Sequence, residues 1–279
     1  METSFTAVLF GLLSAAFWGA GDFVGGMASK RLRAFQVVLT SQIFGMLLLI
    51  LAAIGFQQPI PPIEDWLLGM FSGLIGGLAI LTLYASLASG QMGVAAPLSG
   101  VVAAAIPVVV GALLQGLPKS NQIIGFGVGL VAVWLVSRPE TGNLQWRDIL
   151  LPLLAGLGFG AFLVLINRAT TVSTIYPLVG ARIGSIAMLT IIALLSRQPP
   201  IVPLHSWRIV ALAGILDSGG NAFFTLAASI GRLDVAGVLS SLYPASTVFL
   251  AWLILRENLN RGQLIGVGLT LLAIVLISI

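Results

Sequence analysis

Three ionisable side chains stand inside otherwise apolar runs of the chain. A charge in the middle of a membrane-length helix costs about 2.5 to 3.5 kcal/mol unless it has a partner, a wet cavity or a task. The three are Asp217 in the run Asp217-Ser218-Gly219-Gly220-Asn221, Arg182, and Asp22. Asn221 follows Asp217 by one helical turn, so both lie on one face. Asp217 suits a substrate ammonium or a proton, and it equally suits an ion pair with Arg182; the two roles are compatible. Arg182 in turn fits a substrate carboxylate or phosphate, or a pairing with Asp217 or helix-end carbonyls. Asp22, two to three turns before Lys30 and Arg31, fits a gate or a cation site, or a carboxylate reaching for the interface. Gly219 and Gly220 let another helix backbone or a ligand come close.

Aromatic and hydroxyl groups extend the set. Trp18, Tyr84 and Tyr243 could wall a cavity for a flat or cationic solute by stacking and cation–π contact, or simply pack. Asn167, Gln42, Ser99 and Ser240 could bond a substrate, although bonding between helices is the default for such residues. Pro97, Pro107, Pro152 and Pro244 are tolerated in membrane helices and act there as hinges or bends. His205 is the one histidine and falls in a loop, and there is no cysteine. That leaves no metal set, no cysteine nucleophile and no Gly-rich phosphate loop ending in Lys-Ser/Thr. Neither a cofactor nor an enzymatic activity is expected.

These side chains have to be positioned by membrane helices. The 279 residues are 58% hydrophobic and 8% charged, with a mean hydropathy of +1.08, which places the chain among polytopic membrane proteins. The 13 basic and 9 acidic residues read as anchors of helix ends at lipid headgroups, not as a nucleic-acid surface. The N-terminus lacks the basic lead of a cleaved signal, so the first apolar run is expected to remain as a helix. Apolar runs at about 4–26, 34–55, 64–89, 94–115, 122–137, 148–167, 175–196, 206–229, 235–255 and 261–279 give ten helices.

A shift of 141 residues superposes the second half on the first without a gap in the last hairpin. Gly90 falls on Gly231, Val94 on Val235, Leu98 on Leu239, Ser99 on Ser240, Gln122 on Gln263, Gly125 on Gly266 and Gly127 on Gly268. Upstream, Trp66 falls on Trp207, Pro62 on Pro203 and Gly19 on Gly160. The chain therefore divides into a first five-helix repeat at 1–138, a linker at 139–147 and a second five-helix repeat at 148–279. An odd helix count makes the second copy enter the bilayer from the opposite side, so the repeats are inverted about an axis in the membrane plane. Such pairs suit alternating-access carriers better than channels or structural bundles.

Loop charge is uneven. Lys30, Arg31, Arg33, Arg138, Arg147, Arg197, Arg208, Arg256 and Arg261 fall on one side, and Lys119, Arg168 and Arg232 on the other. The positive-inside rule then sets both termini outside. The Arg256-Glu257 pair in the last hairpin reads as a structural ion pair and helix cap.

Ser14-Ala15-Ala16-Phe17-Trp18-Gly19, Tyr84-Ala85-Ser86-Leu87 and the long run from Leu242 to Ile277 resemble the EamA-type transporters of the drug/metabolite transporter superfamily. The resemblance covers nearly the whole chain. It implies ten helices in two inverted repeats, and export or occasional uptake of small metabolites, often proton-coupled. It also implies termini in the cytoplasm, from which the loop charges depart. The reading is a secondary active transporter, exporting a small metabolite by alternating access, with the cavity between helices 1, 3, 4 and 6, 8, 9. A mixed acid and base site favours a zwitterion such as an amino acid over a simple cation. A lipid flippase, scramblase or passive facilitator, and a multidrug-type cation exporter, are the alternatives. The expected partners are a small-molecule substrate, the lipid bilayer and protons, with no nucleic acid, and the expected place is a bacterial inner membrane. Nothing in the sequence sets an oligomeric state.

Overall fold

The computed structural model describes residues 5–88, 92–136, 146–197, 199–255 and 261–278. Among these residues the structure is all-α, and its helices are α1 Phe5–Ser29, α2 Ala34–Gly55, α3 Ile63–Ala88, α4 Met92–Gln115, α5 Ser120–Val136, α6 Trp146–Ala169, α7 Tyr176–Ser196, α8 Trp207–Ile230, α9 Leu233–Ser240, α10 Tyr243–Leu255 and α11 Arg261–Ser278. Eight spans are long and apolar enough to cross a bilayer, with Leu233–Ile254 counting as one, and two shorter apolar helices lie at Ser120–Leu135 and Leu264–Ile277. A span needs about 20 apolar residues, and these runs meet or approach that length with few charges inside them. Ten crossings in two five-helix halves result. Most of the linker at 139–147 and the Arg256-Glu257 pair lie outside the described residues.

The strongest helix pairings join the two halves and repeat under the 141-residue shift. α1 packs on α8 as α3 packs on α6; α4 packs on α6 as α9 and α10 pack on α1; α3 packs on α7 as α2 packs on α8. The last helices of the two halves, α5 and α11, pack on each other. Each pairing has its counterpart with the halves exchanged, which is the signature of a pseudo-two-fold axis.

Glycine sets how close these helices come. A Cβ on Gly73 of α3 would lie 2.5 Å from the Cα and carbonyl carbon of Ala181 on α7. Its counterpart Gly214 on α8 would meet the carbonyl carbon of Ser41 on α2 at 2.8 Å. Backbone therefore touches backbone at both crossings. In a bilayer such small-residue contacts are what hold helices together, because lipid tails are as apolar as leucine.

One helix departs from the sequence expectation. The run at 235–255 is not continuous: α9 ends at Ser240, and α10 starts at Tyr243. Pro244 has no N–H to donate, and its ring crowds the carbonyl one turn earlier. Leu242 and Tyr243 are buried at the turn, 3% and 6% exposed, and hold it in place. In the first half the matching position is Ala103, and α4 runs through unbroken.

Candidate functional site

A cavity of about 770 Å³, its open part included, lies between the two halves. Its polar lining is Asp22 and Trp18 from α1, Gln42 from α2, Arg182 and Ser185 from α7, Asp217 and Asn221 from α8, Ser241 from the helix break and Tyr243 at the start of α10. Ile80, Phe159, Phe162 and Leu163 form apolar walls. Several lining residues are exchanged by the 141-residue shift: Trp18 with Phe159, Asp22 with Leu163, Gly76 with Asp217, and Ile80 with Asn221. The cavity therefore straddles the pseudo-two-fold axis. Within each of the last three pairs one member is polar and the other apolar, so the chemistry is asymmetric although the scaffold is not.

Arg182 sits in the first half of α7 and is 7% exposed. The α3–α7 crossing at Gly73 and Ala181 brings it to the cavity. Its guanidinium donates to the Asp217 carboxylate at 2.7 Å and, through Nη1, to Gln42 Oε1. One cation thus ties α7 to α8 and α2. Fork-like donation of this kind is what a guanidinium offers and an ammonium does not. Asn221 Nδ2 donates to the backbone carbonyl of Asp217 at 2.8 Å, so it steadies the turn of α8 that carries the carboxylate.

Asp22 reaches the same cavity from α1. A Cβ on the neighbouring Gly21 would lie 3.3 Å from the backbone nitrogen of Asp217, so α1 and α8 touch at this level and place the two carboxylates beside one another. Among the described residues Asp22 makes no ion pair and no hydrogen bond. It lines the cavity and does not pair with the Lys30 and Arg31 cluster.

Trp18 stacks on Phe224, with ring centroids 6.0 Å apart and planes at 25°, and Gly220 leaves room for its indole. The Tyr243 hydroxyl shares a 3.1 Å hydrogen bond with Ser99 Oγ. Ser99 therefore sets the position of Tyr243 from behind and does not itself line the cavity. Tyr84 lies outside the lining, buried at 2% exposure against Gly25. Ser240 Oγ donates to the Gly11 carbonyl at 3.5 Å and joins α9 to α1. Gly219 accommodates Phe17, Pro107 packs on Gly237, and the side chain of Pro97 lies outside the described residues. His205 is exposed, and among the described residues no group of acidic or histidine side chains is arranged to hold a metal.

Among the lining residues that escaped the sequence reading are Phe159, Phe162, Ser185 and Ser241. Only Phe159 left a signal, since the repeat register sets it on Trp18. Also missed was the buried pair at one end of the bundle, where Arg232 bonds Asp234 at 2.8 Å and Asp234 is fully buried. Arg232 further donates to the Gly116 carbonyl at 2.7 Å, and Leu233 N–H donates to Gln115 Oε1 at 3.0 Å. At the same end Thr171 bonds Asp65 at 2.5 Å, and Ser173 bonds Gln58 at 3.0 Å. The ties from Gln58, Asp65 and the 115–116 turn all reach the other half.

Comparison with known proteins follows this geometry. The family model described as the EamA-like transporter family matches residues 5–138 and again residues 146–279. A solved structure titled only "Crystal structure of protein" superposes with a TM-score of 0.76 at 18% identity, covering 97% of this chain and 95% of that one. That likeness concerns the fold. No curated protein matches the chain in sequence.

Proposed function

The chain belongs to the EamA-like transporter family, an integral membrane transporter of the drug/metabolite type, and on that premise we propose that the central cavity is the substrate site of an alternating-access carrier for a small metabolite. The observation that carries the reading is the Arg182–Asp217 ion pair with Asp22 beside it, in a cavity on the pseudo-two-fold axis. Charges there are costly in a membrane, and inverted-repeat carriers bind substrate where their halves meet. The working direction is export. Protons are the coupling ion, for which Asp22 and Asp217 are the available carriers. Rocking of one half against the other would break the ties of Asp65 with Thr171 and of Gly116 with Arg232, and re-form contacts at the opposite end.

The test is counterflow in proteoliposomes, preloaded with amino acids, amines, sugars or nucleosides and assayed with the labelled solute outside. Saturable exchange that is lost in Asp217→Asn and Arg182→Gln supports the site. Exchange untouched by both variants refutes it, and movement of fluorescent lipid in empty vesicles without solute exchange refutes the carrier.

A further inference from the structure

We infer that the ligand of the central site is an organic monocation, an amine with an apolar or aromatic body, whose ammonium pairs with Asp22. The inference rests on the carrier reading and deepens it. Two carboxylates and one guanidinium face the cavity, and Arg182 offsets Asp217, so the charge left in the empty site is that of Asp22 alone when it is ionised. Arg182 is already committed: its donors engage Asp217 on α8 and Gln42 on α2. That removes the base which the carboxylate of a zwitterion would need, unless an internal ion pair is first broken. Breaking a buried pair leaves an uncompensated charge and is strongly unfavourable.

Asp22 is the group left over. It has no ion pair and no hydrogen bond among the described residues, yet lines the cavity. An unpaired carboxylate at membrane depth is balanced by a proton or by a counter-charge, and a single ammonium supplies the second in exchange for the first. The rest of the lining fits the rest of such a molecule. Trp18, Phe159, Phe162 and Tyr243 surround the space, offering ring faces to a cation and apolar area to its body. An ionised Asp22 disfavours anions, and one unmatched carboxylate matches one positive charge, not two.

The experiment compares three amines with the amino acids that differ from them only by the α-carboxylate: phenethylamine with phenylalanine, tryptamine with tryptophan, and isoamylamine with leucine. Binding to the purified full-length protein is read by thermal shift, and counterflow is read in proteoliposomes. The expected result is at least about tenfold tighter binding of the amines, lost in Asp22→Asn and retained in Asp22→Glu. Unliganded melting temperatures of the two variants check that both fold. Equal or tighter binding of the amino acids overturns the inference and leaves the carrier standing. Amine binding that survives Asp22→Asn also overturns it. If none of the six solutes binds while amino acids or sugars outside the set exchange, the cation assignment fails alone. If no solute exchanges at all and lipids move, the carrier reading fails with it.

Discussion

Replacing Asp217 by leucine leaves the Arg182 guanidinium, whose side chain is 9% exposed, with Gln42 as its one remaining side-chain acceptor among the described residues. Breaking a buried ion pair from one side costs about 3 to 5 kcal/mol. The Asp217 side chain keeps 22% of its exposure, and Asp22 can offset part of the stranded positive charge, so the cost belongs at the lower end, about 3 kcal/mol. Arg182→Met strands the Asp217 carboxylate near the already unpaired Asp22, and is expected to cost about 4 kcal/mol. The double variant leaves Asp22 as it was and fills the gap with apolar volume. It should lose only about 1 to 2 kcal/mol, far short of the roughly 7 that independent effects would add up to. Equilibrium unfolding in mixed anionic and neutral detergent micelles, run on the wild type and the three variants, measures the cycle. Additive losses, or a single variant that costs under about 1 kcal/mol, would refute the pair as a mutual dependence.

Other outcomes follow from particular contacts. Arg232→Met strands the fully buried Asp234 and cuts the bond to Gly116, so it should lower stability by about 3 kcal/mol in the same assay. Gly73→Val drives a side chain into the Ala181 backbone, and an overpacking loss of about 3 kcal/mol is expected; Gly127→Ala, which meets nothing within 4 Å, should instead gain about 0.5 to 1 kcal/mol of helix propensity. Pro244→Ala restores an N–H at the break, so it should leave the protein folded and slow counterflow; unchanged exchange rates would remove the break from the transport cycle. Because the chain has no native cysteine, Lys30→Cys can be probed directly with a membrane-impermeant maleimide. Labelling only after lysis would support the orientation read from loop charge, and labelling of intact cells would reverse it.

The sequence already carried the architecture, because apolar runs of membrane length admit few structures and the 141-residue repeat fixed how the halves correspond. It also carried Arg182 and Asp217, since charge inside such runs has few bland explanations. Asp22 was harder. Its distance from the end of α1 made it look interfacial, whereas the face it occupies is decided by the contact of Gly21 with α8, which no local pattern encodes. Phe159 and Phe162 were hidden for the opposite reason: an aromatic in an apolar run is unremarkable until its neighbours are known. Pro244 stood out as a candidate hinge, yet nothing local distinguished it from Pro107 or Pro152, neither of which interrupts its helix. Among the described residues the chain turns at Pro244, with Leu242 and Tyr243 buried at the break, and not at Pro107 or Pro152.

The break between α9 and α10 has no twin in α4, and the alternating-access carrier proposed above, with unequal arms, would not weigh its two facing states alike. The empty protein would then dwell on one side of the membrane longer than on the other, and half-saturation should differ between the two faces. Detailed balance limits what that asymmetry can do. Without a coupling ion the ratio of maximal rate to half-saturation must come out the same in both directions, so the bent helix can set how the transporter waits but not which way it ultimately moves its cargo.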